Sequence, residues 1–340
     1  MNKILVVDDN LVSLKLITSL LDGMYELLPA KSGEMALKMC ERVLPDLVLL
    51  DIEMPGMDGF ETISRLRNNV MFNRIPVIFV TGHHDSEMEL KGLRLGARDF
   101  ITKPVDKNIL LHRIGIHLRV ASYQTELENS IAKLSAGISI TMADMIECRD
   151  ENTGGHVLRT QAYVERIGKK LRHDGVFSDE LSGGILDMIV RATPLHDIGK
   201  IAISDAVLLK PGKLTSDEFS IMKKHAKIGS DILKNMRVKM PNQLYLFYAE
   251  TIAGSHHERF DGKGYPYGLE GNDIPLCGRI MAVADVYDAL VDDRVYRKGM
   301  SHEEACAIIM EGSGTQFDPR VVSAFEACKD EFEDMSKDMK

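Results

Sequence analysis

Two adjacent histidines, His256–His257, lead into the loop Glu258–Arg259–Phe260–Asp261–Gly262–Lys263–Gly264–Tyr265–Pro266. Two glycines, a proline, two aromatic rings and several charges in so short a run exceed what solvation of a turn requires. Alone, the pair would read as a polar surface turn. His156, the doublet His196–Asp197, His225 and Asp285 change that balance by supplying partners. Together these residues form a set of seven potential metal ligands. A carboxylate can bridge two ions because each oxygen binds one, and two ions about 3.5–4 Å apart clamp a phosphoryl group for in-line attack by water. Lys200, one turn after His196, is placed to give that phosphate a positive contact. Imidazole and carboxylate ligands suit Fe, Mn, Ni or Zn. No cysteine belongs to any of these motifs, which argues against a structural zinc site.

A second set of reactive residues lies in the first third of the chain. Asp8, Asp9 and Asp51 are carboxylates that repel one another unless a cation sits among them, and Mg²⁺ with oxygen ligands is the expected answer. Thr81 and Lys103 offer a hydroxyl and an ammonium to a phosphoryl group carried by one carboxylate. His83–His84 imitates the later pair but has no ligand set around it, so it reads as a solvated loop.

These residues fall where the hydrophobic pattern places strand ends. Ile4–Val7, Leu47–Leu50 and Val77–Val80 are short apolar, β-branched-rich runs that suit buried parallel strands. Helix-like stretches at Leu11–Leu21, Gly33–Val43 and Gly59–Asn68 separate them, the rhythm of a doubly wound α/β sheet. In such sheets function gathers at the carboxyl ends of the strands. From about Asp106 the pattern becomes one long helix. Its apolar positions Ile116, Val120, Tyr123, Leu127, Ile131, Leu134 and Ile138 recur every three or four residues, close to a heptad seam. Beyond about residue 137 nearly everything reads helical.

The 340 residues exceed one ordinary core and favour two domains. A hydrophobic share of 44% with 27% charged residues describes a globular chain. No apolar run of about 20 residues is present to span a membrane, and the N-terminus turns acidic too soon for a signal peptide. The five scattered cysteines read as reduced thiols, giving a cytoplasmic expectation. A net charge of −9 argues against binding a nucleic-acid polymer.

Val6–Val7–Asp8–Asp9, Leu49–Leu50–Asp51–Ile52–Glu53–Met54–Pro55–Gly56, Thr81–Gly82 and Phe100–Ile101–Thr102–Lys103–Pro104 resemble the response-regulator receiver family. That resemblance implies a flavodoxin-like, five-stranded parallel sheet with Asp51 as phospho-acceptor for a cognate histidine kinase. It makes Asp8 and Asp9, with the backbone carbonyl of Glu53, the Mg²⁺ pocket. Thr81 and Lys103 become the phosphoryl contacts and Phe100 the switch aromatic. Thr153–Gly154–Gly155–His156, His196–Asp197–Ile198–Gly199–Lys200, the His256–Pro266 string, Asp285–Val286–Tyr287–Asp288–Ala289–Leu290 and Gly314–Thr315–Gln316–Phe317–Asp318–Pro319 are similar to the HD-GYP subgroup of HD-domain phosphohydrolases.

That second resemblance implies an all-α domain that hydrolyses cyclic di-GMP to pGpG or GMP. It assigns the seven residues above as ligands of two divalent transition metals, Fe or Mn before Ni or Zn, with Asp197 and Lys200 as the catalytic pair. Lys200, Arg294, Arg297, Tyr265 and Pro266 become substrate contacts, and the Gly264–Pro266 loop a docking surface for diguanylate cyclase domains. Members with a third metal carry a glutamate four residues before the TGxH histidine. Asn152 stands there in this chain and Glu151 is one place off, so two metals are expected. Ala226 replaces the usual proline after the His225 position.

The resulting expectation is a receiver domain over residues 1–121, a helical linker over 122–136 that pairs in a homodimer, and a phosphohydrolase domain over 137–340. Two alternatives stand beside it. One is an HD-type phosphohydrolase for another cyclic dinucleotide or phosphoester. The other is a non-catalytic regulator that docks partner proteins.

Overall fold

The computed structural model describes residues 1–69, 71–82, 86–149, 155–292 and 298–338. The chain divides into two compact units, Met1–Ala132 and Lys133–Lys340.

The first unit is built on a parallel sheet of β1 (Lys3–Val7), β2 (Glu26–Ala30), β3 (Leu47–Asp51), β4 (Val77–Thr81) and β5 (Asp99–Thr102), in the spatial order β2-β1-β3-β4-β5. Helices α1 (Leu11–Leu21), α2 (Gly33–Arg42), α3 (Gly59–Asn68) and α4 (Ser86–Arg94) connect them. Every residue of β3 and β4 is buried, which is why these strands are continuous apolar runs instead of alternating ones. Leu5, Val7, Val48, Leu50, Val77 and Phe79 face one core with Ala36, Phe60 and Ile63. Ile4, Val6, Leu47, Leu49, Ile78 and Val80 face the other with Leu14 and Ile17. Side-chain caps at Asn10, Ser32 and Asp58 start the first three helices. Strand register pairs Val7 with Leu50, Asp51 with Val80 and Thr81 with Thr102, so the residues that follow share one edge.

Helix α5 (Lys107–Glu147) begins in this unit, where Leu110 and Ile114 are fully buried. Further along, all seven apolar positions of the heptad-like stripe, Ile116 to Ile138, are exposed.

In the second unit, α6 (His156–His173), α7 (Ile185–Ala192), α10 (Lys224–Lys239), α11 (Tyr245–Ser255), α12 (Leu276–Val291), α13 (His302–Glu311), α14 (Pro319–Glu326) and α15 (Lys329–Asp338) surround one hydrophobic core, while α8 (Asp205–Leu208) and α9 (Ser216–Met222) share a smaller apolar cluster of Ile203, Val207 and Leu208 with Leu214 and Met222. Helix α12 runs through the centre of the larger core, buried continuously from Leu276 to Ala284. Tyr163 of α6 stacks on Phe332 of α15 at 4.5 Å and meets Tyr287 of α12 edge-on at 5.3 Å, tying three helices together. Among the described residues no helix is long and apolar enough to cross a membrane.

The His196–Asp197 doublet lies outside the α-helices. It sits between two 3₁₀ turns, Thr193–Leu195 and Ile198–Ala202. Pro194 starts the first turn, and Gly199 lets the second press against α10. A Cβ at Gly199 would lie 2.0 Å from the His225 carbonyl oxygen, so only glycine fits. This close approach brings the His225 helix beside the doublet.

Candidate functional site

The second unit gathers the seven candidate ligands into two adjoining groups. Asp197, His225, His256 and His257 form one, and His156, His196 and Asp285 form the other. Asp197 stands between them. Its Oδ1 is 3.2 Å from His225 Nε2 and 3.7 Å from His256 Nε2, while its Oδ2 is 3.5 Å from His196 Nε2. The ammonium of Lys200 lies 2.8 Å from the same Oδ2.

The histidines are aimed by their other ring nitrogen. Nδ1 of His196 meets the Thr193 carbonyl at 3.0 Å, that of His225 the Met222 carbonyl at 2.8 Å, and that of His256 the Ile252 carbonyl at 3.0 Å. His156 Nδ1 meets the Asp288 carboxylate at 2.7 Å. These acceptors place the proton on Nδ1 and leave the Nε2 lone pair facing the group, as a metal-binding imidazole requires. Nε2 of His196, His225 and His256 and Oδ1 of Asp197 are buried without a hydrogen-bond partner. An orphaned buried polar atom costs about 1–3 kcal/mol. Four of them converging in one place, all electron-pair donors, fit divalent cations.

The local electrostatics agree with that fit at His196, His257 and Asp197. Burial pushes His196 down to about 4. Burial, with His256 and His225 beside it, pushes His257 well below its ordinary value. Burial opposes ionisation of Asp197, yet Lys200 and His196 hold its carboxyl well below the ordinary range. Burial likewise opposes charge on His156, but the Asp288 hydrogen bond outweighs it and lifts the ring to about 9.

Around this centre the His256–Pro266 loop is stiffened from within. Glu258 is buried, and its carboxylate accepts hydrogen bonds from the backbone N–H of Tyr267 at 2.7 Å, Gly268 at 3.1 Å and Leu269 at 3.1 Å. A Cβ at Gly264 would lie 2.4 Å from the backbone nitrogen of Arg259, so the loop closes on itself only with glycine there. The backbone N–H of Asp261 donates to the Thr315 carbonyl at 2.8 Å, which anchors the loop on the Gly314–Pro319 segment. The outcome is that the Tyr265 ring stands 4.8 Å from the His257 ring, with Pro266 joined to it by a cis peptide.

In the first unit, Asp8, Asp9 and Asp51 bring carboxylate oxygens within 4.8 Å of one another. Lys103 reaches Asp51 at 2.8 Å and Asp8 at 2.9 Å. Burial raises Asp51 above the usual carboxylate value against the pull of Lys103. Burial also opposes charge on Lys103, but Asp51 and Asp8 keep it above its ordinary value. Thr81 is buried at the end of β4, and the Lys103 backbone N–H donates to its carbonyl at 2.7 Å. Phe100 packs on Phe79 at 5.5 Å, and Glu53 is exposed in the loop after β3.

The HD domain family model matches residues 141–321, and the response regulator receiver domain model matches residues 4–115. A probable cyclic di-GMP phosphodiesterase of Vibrio cholerae is 42% identical over 98% of this chain and 79% of its own length. A cyclic di-GMP phosphodiesterase response regulator of Xanthomonas campestris is 38% identical over 85% of this chain and 77% of its own. The chain belongs to the HD-domain response regulators. A 3'3'-cGAMP-specific phosphodiesterase of Vibrio cholerae is also similar to it, 37% identical over 66% of this chain and 40% of its own length.

For this HD-domain response regulator, several sequence expectations fall outside the described residues: Arg294 and Arg297, His83–His84, Glu151 and Asn152, and Thr153–Gly154. Four residues of the site escaped the sequence reading. Asp288 and Arg159 form a buried pair behind His156, with Arg159 Nε 2.8 Å from Asp288 Oδ1. Glu258 holds the loop. Glu147 approaches His156 from the end of α5, its Oε1 3.7 Å from Nε2. Asp288 and Glu258 did lie inside motifs, where a carboxylate one turn after Asp285 and another next to His257 were the available signals. Arg159 and Glu147 carried none.

Proposed function

We propose that this chain hydrolyses cyclic di-GMP to pGpG, GMP or both at a dimetal site, under control of phosphorylation at Asp51. The observation that carries the reading is the Asp197 carboxylate, which presents one oxygen to each of two groups of buried histidines. The domain pairing and the relatives named as cyclic di-GMP phosphodiesterases support it.

In this reading His225, His256, His257 and Asp197 hold one divalent transition ion. His156, His196 and Asp285 hold the other, with Asp197 shared. The ligand set lacks thiolate and suits Fe or Mn first, then Ni or Zn. Bound there, the ions supply Lewis-acid polarisation of the phosphoryl group and a nucleophile at neutral pH. The remaining work belongs to the chain. Lys200 places its ammonium against a non-bridging phosphate oxygen while keeping Asp197 ionised. Arg159 and Asp288 keep the His156 Nε2 lone pair turned inward. Tyr265 and Pro266 form an apolar wall for a guanine base, and Arg294 and Arg297 contact the nucleotide.

In the receiver, Asp8, Asp9, Asp51 and the backbone carbonyl of Glu53 hold Mg²⁺, and a cognate histidine kinase phosphorylates Asp51. Thr81 and Lys103 contact the phosphoryl group, and Phe100 reports it. Residues 1–121 form that receiver, 122–136 the linker and 137–340 the hydrolase. The exposed stripe from Ile116 to Ile138 pairs two chains in a homodimer. The protein works in the cytoplasm, and its Gly264–Pro266 loop docks diguanylate cyclase domain proteins.

The test is turnover of cyclic di-GMP by metal-loaded protein, with and without a phosphoryl donor. No turnover in either condition overturns the proposal. Likeness to a cGAMP-specific enzyme favours a second reading, in which another cyclic dinucleotide is preferred. Relative kcat/KM values across a cyclic dinucleotide panel separate the two.

A further inference from the structure

Helix α9 buries none of its own residues. A capping box between Thr215 and Glu218 starts it, and the Lys210 ammonium meets the Glu218 carboxylate at 2.6 Å. Met222 fastens its other end to the cluster of Ile203, Val207 and Leu208. Phe219 takes no part in that packing, and its side chain is 47% exposed. A lone exposed apolar residue needs no explanation, but this one stands beside the metal centre. Its ring centroid is 6.4 Å from that of Tyr265, with the two planes at 82°. Tyr265 in turn lies 4.8 Å from the His257 ring and 6.5 Å from the His225 ring. The two aromatic side chains form a corner at the edge of the ligand set, one from α9 and one from the His256–Pro266 loop.

Lys223 faces into that corner. It directly follows α9 and precedes α10. Its Nζ lies 5.3 Å from the Phe219 centroid and 5.8 Å from that of Tyr265. Among the described residues no carboxylate pairs with it. Cation–π contacts at so open a place are weak, so the ammonium keeps its donors for another acceptor. A planar ring with acceptors on its edge answers both features. Any base stacks on an aromatic side chain, because every base has a π face. The ammonium is selective. Guanine presents two acceptors on one edge, N7 and O6, whereas adenine sets an N6 amino donor beside its N7.

We propose that Phe219 and Lys223 form, with Tyr265, a guanine-selective slot for one base of the cyclic dinucleotide. Phe219 stacks on the base, and Lys223 donates to its N7 and O6. This assignment rests on the cyclic di-GMP reading above. It gives α9 the task of choosing among cyclic dinucleotides, next to ligands that act on any phosphodiester.

The experiment measures kcat/KM of the metal-loaded full chain on cyclic di-GMP and cyclic di-AMP. Metal per chain is read by mass spectrometry, because His225 lies just beyond Lys223. The wild type should favour cyclic di-GMP. Lys223→Met should cut that preference by about 5–150-fold, the worth of one good base-edge contact. Lys223→Arg, which reads the same two acceptors, should retain it. Phe219→Ala should raise KM for both nucleotides, because stacking does not distinguish bases. A phosphate contact or a purely structural role for Lys223 would lower both substrates alike in Lys223→Met, and that result overturns the slot. An unchanged KM in Phe219→Ala overturns the stacking role. If Lys223→Met fails to hold metal, Lys223→Glu decides: an acceptor there must shift the ratio toward cyclic di-AMP, and an unshifted ratio overturns the slot. Calorimetric binding of cyclic di-GMP separates this proposal from the reading beneath it. A wild type that binds through Lys223 without turnover keeps the slot and overturns hydrolysis. Equal affinity in wild type and Lys223→Met overturns the slot, and a wild type that neither binds nor turns over cyclic di-GMP overturns both.

Discussion

Asp288 accepts the Nδ1 proton of His156 at 2.7 Å, and Arg159 holds that same carboxylate through Nε at 2.8 Å and Nη2 at 2.9 Å. Arg159 and Asp288 are 1% and 0% exposed, and Arg159 also reaches Asp292 at 2.9 Å. Replacing Arg159 by Met takes the buried guanidinium from both carboxylates and should cost about 3–5 kcal/mol of stability. The ring of His156 also loses its fixed orientation, which should weaken metal binding by about 10–100-fold. Urea unfolding of the metal-free chain and Mn²⁺ calorimetry read the two effects separately. Unchanged values in both would show that the pair is incidental to His156.

Asp51→Asn should abolish phosphoryl uptake from a small-molecule donor, read on a phosphate-affinity gel. It should not destabilise the receiver. Burial already raises Asp51, and a neutral amide relieves its crowding with Asp8. A thermal midpoint at or above that of the wild type is expected, and a marked drop would contradict this account of the pocket.

Asp318 caps α14 and is shared by Arg279 and Arg320. Burial raises its pKa, but the two guanidinium groups and the Arg320 backbone N–H hold it below the ordinary 3.8. A depressed carboxylate adds stability that is complete above its unfolded value and disappears as pH falls through its folded one. Asp318→Ala should therefore cost about 3–5 kcal/mol at neutral pH. Its deficit should shrink as pH drops below 3.8. Urea midpoints of both proteins across an acid series test this, and a deficit independent of pH would refute it.

Leu127 and Leu134 are 61% and 66% exposed along α5. In the proposed homodimer, converting both to Glu should leave the isolated fold intact and shift the chain to monomer in light scattering, because like charges then meet across the seam. A double variant with wild-type mass in solution would exclude this stripe as the pairing surface.

Much of this protein was written locally. The sheet was legible because strands buried on both faces must be apolar throughout, as in Leu47–Asp51 and Val77–Thr81. Strand β2 was harder to see, since Glu26–Leu27–Leu28–Pro29–Ala30 carries a proline that only an edge strand tolerates. The candidate ligands were legible because imidazole and carboxylate side chains announce their chemistry by type, and short spacings such as His196–Asp197 and His256–His257 hold in any fold.

Tertiary structure alone decided which oxygen of Asp197 faces which histidines. It decided that the doublet lies between 3₁₀ turns, where Gly199 admits α10. It also brought Asp288 of α12 and Arg159 of α6 together behind His156, and Glu147 of α5 in front of it. No pattern along the chain encodes such meetings. Residue type sets what a side chain can bind, but its partners depend on which helices share a core, and that is settled only when the apolar faces pack.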